Sequence, residues 1–254
     1  MFSALTFNMQ NGQLWRDECP DNCPVDLEGT ARFLLSQDAD VIFLQEVEHG
    51  YEGGAQQNPP PGYEYLKSRL TAYDSVFAYP VPNPQEIPFG LGLAIFSRTP
   101  LTSFFRQDLP PADVTFEFGG TTRHPSHRLL IGAQTEIAGQ QVWLLNTHLQ
   151  AFFMIGSSSD QHREQRDAVE KTIRDLSGPV ILAGDFNCAP GEGVVRQFAA
   201  AGFQASQTTE VTWRRMPFVL DHIFFNSALQ LKSCEVIPTL TSDHHGVKSF
   251  LEFA

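Results

Sequence analysis

Seven short apolar runs, each closed by a polar or turn residue, constrain this chain most: ALTFN (4–8), DVIFLQ (40–45), GLAIFS (92–97), RLLIGA (128–133), VWLLN (142–146), VILAG (180–184) and DHIFF (221–225). Rich in β-branched, leucine and aromatic side chains and too short for helices, they predict buried strands. Two segments between them have helical spacing instead. Leu27, Ala31, Leu34 and Leu35 fall on one face of the first; Val169, Thr172, Ile173 and Leu176 on one face of the second, with Gly178 and Pro179 as its stop. Alternating strands and helices predict α/β layering. The Pro- and Gly-rich stretches 50–65 and 79–90 read as surface loops, and strand patterns resume on both sides of each, so one domain over 1–254 is expected.

The two halves echo each other. LTFNMQ, a helix and DVIFLQEV stand beside LLNTHLQ, a helix and PVILAGDFN, with 38 residues from Asn8 to Glu46 and 39 from Asn146 to Asp185. Such an echo arises from two similar sheets packed face to face, or from the general likeness of strand-helix-strand units; the sequence leaves both open.

The apolar content of 42%, with 21 Phe, is enough for a substantial packed core. No run reaches the roughly 20 apolar residues that span a bilayer, and the N-terminus lacks a basic region followed by an apolar one, so a cytoplasmic location is expected, with a secreted mature form as the alternative. Lys and Arg number 17 against 29 Asp and Glu, a formal net charge of -12, which disfavours duplex DNA as a partner. A divalent cation offsets such charge locally and leaves phosphate esters open. Cys19 and Cys23 lie close, as loop thiols or a local disulfide; a zinc site lacks its other half.

The polar residues collect where runs end: Asn8, Glu46, His148, Asp185, Asn187, Asp221, Asp243 and His244. In layered α/β folds such tips are where a rigid sheet fixes functional groups. Each alone has a plain structural reading, as a strand-end charge, a core histidine or a turn cap; together they suggest phosphate-ester hydrolysis. Glu46 and Asp243, with Asn8 nearby, supply oxygen ligands suited to Mg2+ or Mn2+ rather than zinc. His244 with Asp221 forms a plausible carboxylate-oriented dyad.

The ordered set TFN, LQEV, NTHL, GDFN, LDHIFF and SDHHGV resembles the endonuclease/exonuclease/phosphatase superfamily of DNase I-like and sphingomyelinase-like hydrolases. The resemblance implies a four-layer α/β sandwich, two mixed sheets flanked by helices, with Mg2+ as cofactor and Mn2+ as substitute. It implies that Glu46 is the principal metal ligand, with Asn8 its neighbour and Asp243 a further carboxylate. Asp185 would orient or deprotonate the attacking water, Asn187 would donate to the phosphate, and His148 would bind the phosphate or protonate the leaving group. His244, oriented by Asp221, would be the essential histidine. Asp185 and Asn187, two apart on an extended chain, are expected to face the same way, whereas His222 and His245 are expected to be bystanders.

The expected substrate is a lipid head group or small phosphodiester, handled by a monomer, with a nuclease or a non-catalytic binding module as alternatives. AFFMIGSSS (151–159) reads as core or as an apolar wall for substrate, and TTRHPSHR (121–128) as a solvated connection or a polar loop reaching the phosphate.

Overall fold

The computed structural model describes residues 1–48, 56–83, 85, 86 and 91–254. Two six-stranded mixed sheets pack face to face. The first orders β13 (Leu229–Ile237), β14 (Gly246–Phe253), β1 (Phe2–Asn8), β2 (Val41–Gln45), β4 (Leu93–Ser97) and β3 (Asp74–Ala78). The second orders β11 (Phe203–Ala205), β12 (Asp221–Asn226), β10 (Val180–Asp185), β9 (Gln140–His148), β8 (Leu129–Ile137) and β5 (Leu101–Asp108). Helices α1 (Leu27–Ser36) and α2 (Pro61–Arg69) cover the first sheet; α3 (Glu164–Asp175) and α4 (Val194–Ala200) cover the second. The four-layer sandwich expected from the sequence is the fold. A small hairpin, β6 (Phe116–Phe118) with β7 (Thr121–Arg123), stands apart from both sheets.

Strand alternation divides the core into three. In β1, Leu5 and Phe7 pack under α1 while Phe2 and Ala4 face the other sheet; in β10, Val180 and Leu182 face α3 while Ile181 and Ala183 face inward. Carried to the strand ends, the inward stripe runs from Ala4 to Asn8, from Leu144 to His148, from Ala183 to Asp185 and from Ile223 back to Asp221. The same two-residue period that buries the apolar side chains aims these four polar ones between the sheets at one end.

The echo is real: β1 and β2 pair in parallel through α1, and β9 and β10 pair in parallel through α3. Its register differs from the sequence alignment. Asp185 lies opposite His148, so His148 closes its strand as Asn8 closes β1, and Asn146 sits one inward step earlier. There its amide oxygen accepts from Gln45 at 2.7 Å and its nitrogen donates to Leu44 O and Ala94 O at 2.8 and 2.9 Å. These bonds cross between the sheets.

All seven apolar runs fall in strands. Five strands of the two main sheets, β3, β5, β11, β13 and β14, have no apolar run of their own. Four of them are sheet edges, where one face is solvated and the sequence alternates or is short. Helix α2 corrects the loop expected over 50–65. Pro61 occupies the first turn, where its missing N–H costs nothing, and Glu48 Oε1 accepts from Tyr63 N at 2.6 Å, a cap supplied from outside the local sequence. Residues 49–55 of that stretch, and 84 and 87–90 of the second, lie outside the described residues. On α1, Leu34 and Ala31 are buried but Leu35 is 43% exposed, off the face it was expected to share. Cys19 and Cys23 are free thiols with sulfurs 3.6 Å apart.

Candidate active site

At the open end of the inter-sheet layer one amide joins both sheets. Asn8 Nδ2, on the tip of β1, donates to Glu46 Oε1 at 3.1 Å and to Asp185 Oδ2 at 3.0 Å. Glu46 follows β2 in the left-handed region, φ 51°, a conformation that non-glycine residues rarely adopt outside turns and functional sites. On the second sheet, Gly184 is what lets β10 approach β9. Its φ is 150°, and a Cβ there would meet Thr147 O at 2.0 Å.

Two histidines flank Asp185. His148 Nε2 lies 3.5 Å from Asp185 Oδ2 and 3.9 Å from Glu46 Oε1; His244 Nε2 lies 3.8 Å from the same Asp185 oxygen. Both rings are buried, yet their charge states diverge. Burial pushes His148 well below the usual histidine range, and the charges of Arg128 and His244 push the same way, so its ring is neutral. Burial acts on His244 too, but the Asp221 charge and hydrogen bond, then Asp185 and Asp243, raise it to about 10. The Asp221 Oδ2 to His244 Nδ1 contact is 2.8 Å. His244 is fixed further by its backbone N–H, which donates to Ser242 Oγ at 3.0 Å, while that hydroxyl donates to Asn8 O at 2.7 Å. Ser242 thus ties the last block to the first strand tip, a role for which the sequence offered no sign beyond its neighbours.

The carboxylates are short of positive charge. Burial, then Asp221, raises Asp185 to about 7, and burial, then Asp243, raises Glu46. Asp221 Oδ1 has no hydrogen-bond partner. Ligand atoms of Asp185, Asp221 and His244 lie within 4.8 Å of one another. His244, charged and bonded to Asp221, is no ligand in that state; the buried, mutually repelling carboxylates of Glu46 and Asp185, bridged by Asn8, are the oxygens that fit a hard divalent cation. Of the expected metal set, Asn8 and Glu46 touch directly. Asp243 stands at the rim, with Oδ1 4.0 Å from His244 Nε2 and Oδ2 held by Arg215 Nε at 2.7 Å and Trp213 Nε1 at 3.2 Å.

Asn187 corrects the expected geometry. The chain turns after Asp185, with Asn187 at φ 47°, so the two side chains do not project from one extended strand. Instead Asn187 N donates to Asp185 Oδ1 at 2.9 Å, and its Nδ2 donates to Leu149 O at 3.0 Å, leaving one amide hydrogen. The turn presents Asn187 beside Asp185 by a route that strand periodicity does not describe.

Arg128, the end of TTRHPSHR, was not among the expected site residues, although the polar-loop reading of that stretch pointed to it. It is buried, its Nε and Nη2 donate to Gln150 Oε1 at 3.4 and 3.3 Å, and Nη1 has no partner. Burial lowers it to about 10, while the charges of Glu46, Asp185 and Glu86 act to raise it. AFFMIGSSS divides: Phe152 is buried, stacked on His162 at 4.7 Å, and Met154 is 66% exposed. Phe153 sets its edge against Trp213 and Phe218, and Trp213 lies 6.2 Å from His244. His222 faces away, between Phe186 and Phe224. No described helix is long and apolar enough to cross a membrane.

The chain is similar to a tyrosyl-DNA phosphodiesterase 2 of Xenopus tropicalis, 29% identical over 188 residues that are 73% of this chain and 40% of that protein. It thus spans less than half the length of that relative. An endonuclease/exonuclease/phosphatase structure from Beutenbergia cavernae superposes with a TM-score of 0.76 at 19% identity, covering 100% of this chain and 72% of that one. A mannosyl-6-phosphatase of Bacteroides thetaiotaomicron superposes with a TM-score of 0.68 at 18% identity, covering 100% of both. The model of the Endonuclease/Exonuclease/phosphatase family matches residues 5–244, nearly the whole chain and every strand tip described above, and the chain belongs to that family.

Proposed function

We propose that the chain is a Mg2+-dependent hydrolase of phosphate esters, acting on a phosphodiester, with Mn2+ as a substitute ion. The observation that carries this reading is that two buried histidines flank one carboxylate oxygen, Asp185 Oδ2, and only one of them, His244, is braced by a carboxylate hydrogen bond of its own. Pairs of groups whose environments drive their proton affinities apart divide acid and base work between them.

In this reading Asp185 accepts the proton of the attacking water, for which its elevated position near 7 suits it. His244, charged and braced by Asp221, opposes the negative charge that builds on the phosphoryl oxygens. His148, neutral, and the spare amide hydrogen of Asn187 hold the phosphate by uncharged hydrogen bonds, and Arg128 Nη1 adds a cationic donor behind them. Glu46, Asn8 and Asp243 would hold the metal. When bound, the ion neutralises phosphate charge and polarises the phosphorus-oxygen bonds.

The ring group of Phe153, Trp213 and Phe218 beside His244 favours a substrate with a stacking or aryl portion next to the scissile ester. A short nucleic-acid end meets that description, and the named activity of the Xenopus relative agrees with it. A lipid head group remains the other substrate class for this surface. Hydrolysis of bis-p-nitrophenyl phosphate is expected with Mg2+ or Mn2+, abolished by EDTA and by His244→Ala. Turnover that persists in EDTA, or in His244→Ala, defeats the proposal. Comparing sphingomyelin with a short single-stranded oligonucleotide then separates the substrate classes.

A further inference from the structure

A second cluster of charge lies outside the catalytic pocket, between α3 and α4. A cavity of about 340 Å3 is lined by Asp160, Arg163, Arg166, Gly193, Arg196 and Gln197, none of them among the strand-tip residues. Three guanidinium groups converging in a chain of net charge -12 need an explanation.

Arg166 is the largest fully buried side chain among those described. Only its Nη2 is paired with a carboxylate, Asp160 Oδ1, at 2.6 Å; Nε and Nη1 have no hydrogen-bond partner. The neighbouring Cys188 thiol is pushed up to about 12 by burial and therefore brings no compensating charge. Arg196 makes no ion pair with a described residue and faces Asp160 at longer range. Arg163 pairs with Asp167 at 3.4 Å on the exposed rim. The amide hydrogens of Gln197 are committed to Asp167 and Glu170. Gly193 adjoins the group: a methyl group placed on it would stand 3.1 Å from Asp160 Oδ1, 3.6 Å from Arg196 Nη2 and 3.8 Å from Arg166 Nη1. Two guanidinium groups and the Asp160 carboxylate thus converge on one spot.

Asp160 shows what the cradle accepts. One of its oxygens takes both Arg166 Nη2 and the Gly193 N–H, the latter at 2.9 Å, in the manner of a bound oxyanion. The residue is tethered but not buried, with its side chain 43% exposed. The remaining Arg166 nitrogens are closed from solvent. A structural arginine would have its donors satisfied. This one has a hydrogen-bond partner at one nitrogen, and that partner is a carboxylate that is 43% exposed.

We propose that this cavity is a binding site for a phosphate-class oxyanion, which displaces the Asp160 carboxylate and is gripped by Arg166, Arg196 and Arg163. A planar fork of N–H donors matches tetrahedral oxyanions better than halide, which sets the expected selectivity. The site does not depend on the hydrolase reading. It adjoins the catalytic segment through Cys188, which follows Asn187 in the chain, and through Gln165, whose Oε1 accepts from Gln150 N at 3.0 Å.

The test is calorimetric titration of the full chain with inorganic phosphate, in EDTA and at ionic strength matched with chloride. Saturable binding is expected in the wild type, weakened about tenfold in Arg196→Gln and tightened about tenfold in Asp160→Ala, as expected when one charge-assisted contact is lost or a competing carboxylate is removed. His244→Ala should leave it unchanged, and Arg196→Gln should keep ester hydrolysis within about twofold of wild type. A parallel titration with glycerol 2-phosphate distinguishes free phosphate from a phosphate-bearing molecule as the ligand. The proposal is overturned if the wild type binds phosphate no better than chloride, if Arg196→Gln and Asp160→Ala bind as the wild type does, or if His244→Ala abolishes the signal, which would place the anion in the catalytic pocket.

Discussion

The first strand-helix-strand unit, β1-α1-β2, and the second, β9-α3-β10, share a frame and differ in their tips. Each is a parallel pair whose inward stripe ends between the sheets. The first ends in Asn8 and Glu46, an amide and a carboxylate with no ring nitrogen. The second ends in His148 and Asp185, followed by Asn187. A common scaffold therefore delivers an amide and a carboxylate from one sheet and an imidazole and a carboxylate from the other, and Asn8 Nδ2 joins the two carboxylates. The difference teaches that backbone architecture sets where the groups meet, while, in the function proposed, tip identity divides the labour between holding charge and moving protons.

That division is open to test. Asp185→Asn, in the second unit, should lower kcat by about 10³ to 10⁴ at every Mg2+ concentration, measured by initial rates on bis-p-nitrophenyl phosphate. Glu46→Gln, in the first, should instead raise the Mg2+ requirement by about 10 to 100-fold and regain much of its kcat at high metal. A metal titration of both variants decides the matter; if Asp185→Asn is rescued by metal, or Glu46→Gln is not, the comparison between the units breaks.

Asp221→Asn sharpens it further. His244 is held at about 10 chiefly by Asp221 against burial, so removing that charge should move the alkaline limb of the rate profile to lower pH and cut the rate at pH 8 by about tenfold or more. A pH profile left in place would show that His244 does not act as a cation. Asn146→Leu probes the shared frame rather than the tips. It leaves Gln45 Nε2, Leu44 O and Ala94 O without their partner and should cost about 1 to 3 kcal/mol, read by urea unfolding, with KM for metal unchanged.

The smallest expected effect is on stability against pH in EDTA. Asp185 has a folded-state value near 7, above the ordinary 3.8, so its protonated form favours the folded protein. Its contribution is fully present below pH 3.8 and is lost as pH rises through about 7. The melting temperature of wild type should therefore fall relative to Asp185→Asn across that window, by a few degrees for a chain of this size. Parallel curves for the two proteins would remove Asp185 as the source.

Legibility in the sequence followed burial. Every apolar run became a strand, because burial on both faces demands an unbroken apolar stretch, and the tip residues were found because they interrupt those stretches. The edge strands β3, β5, β11 and β13 were missed because a half-solvated or very short strand carries no such run. Helix α2 was read as loop because its start is proline-rich and its cap comes from Glu48, outside its own segment. Arg128 and Ser242 bond to partners distant in sequence; the polar-loop reading of 121–128 points toward the first, and no local pattern marks the second.

The sequence by itself determined the layers, the inward stripes and, through the period of two, the inward aim of Asn8, His148, Asp185 and Asp221, whereas Glu46 and His244 lie beyond strand ends and stand out only by their sequence blocks. Only the tertiary structure decided their chemistry. Asp185 and Asp221 face one another across neighbouring strands, and His244 is braced by Asp221 while His148 has no carboxylate hydrogen bond of its own. One imidazole is therefore charged and the other neutral, although the chain encodes both as the same residue. Charge state depends on desolvation and on the sign of neighbours within a few ångströms, and those neighbours are set by sheet packing rather than by order along the chain.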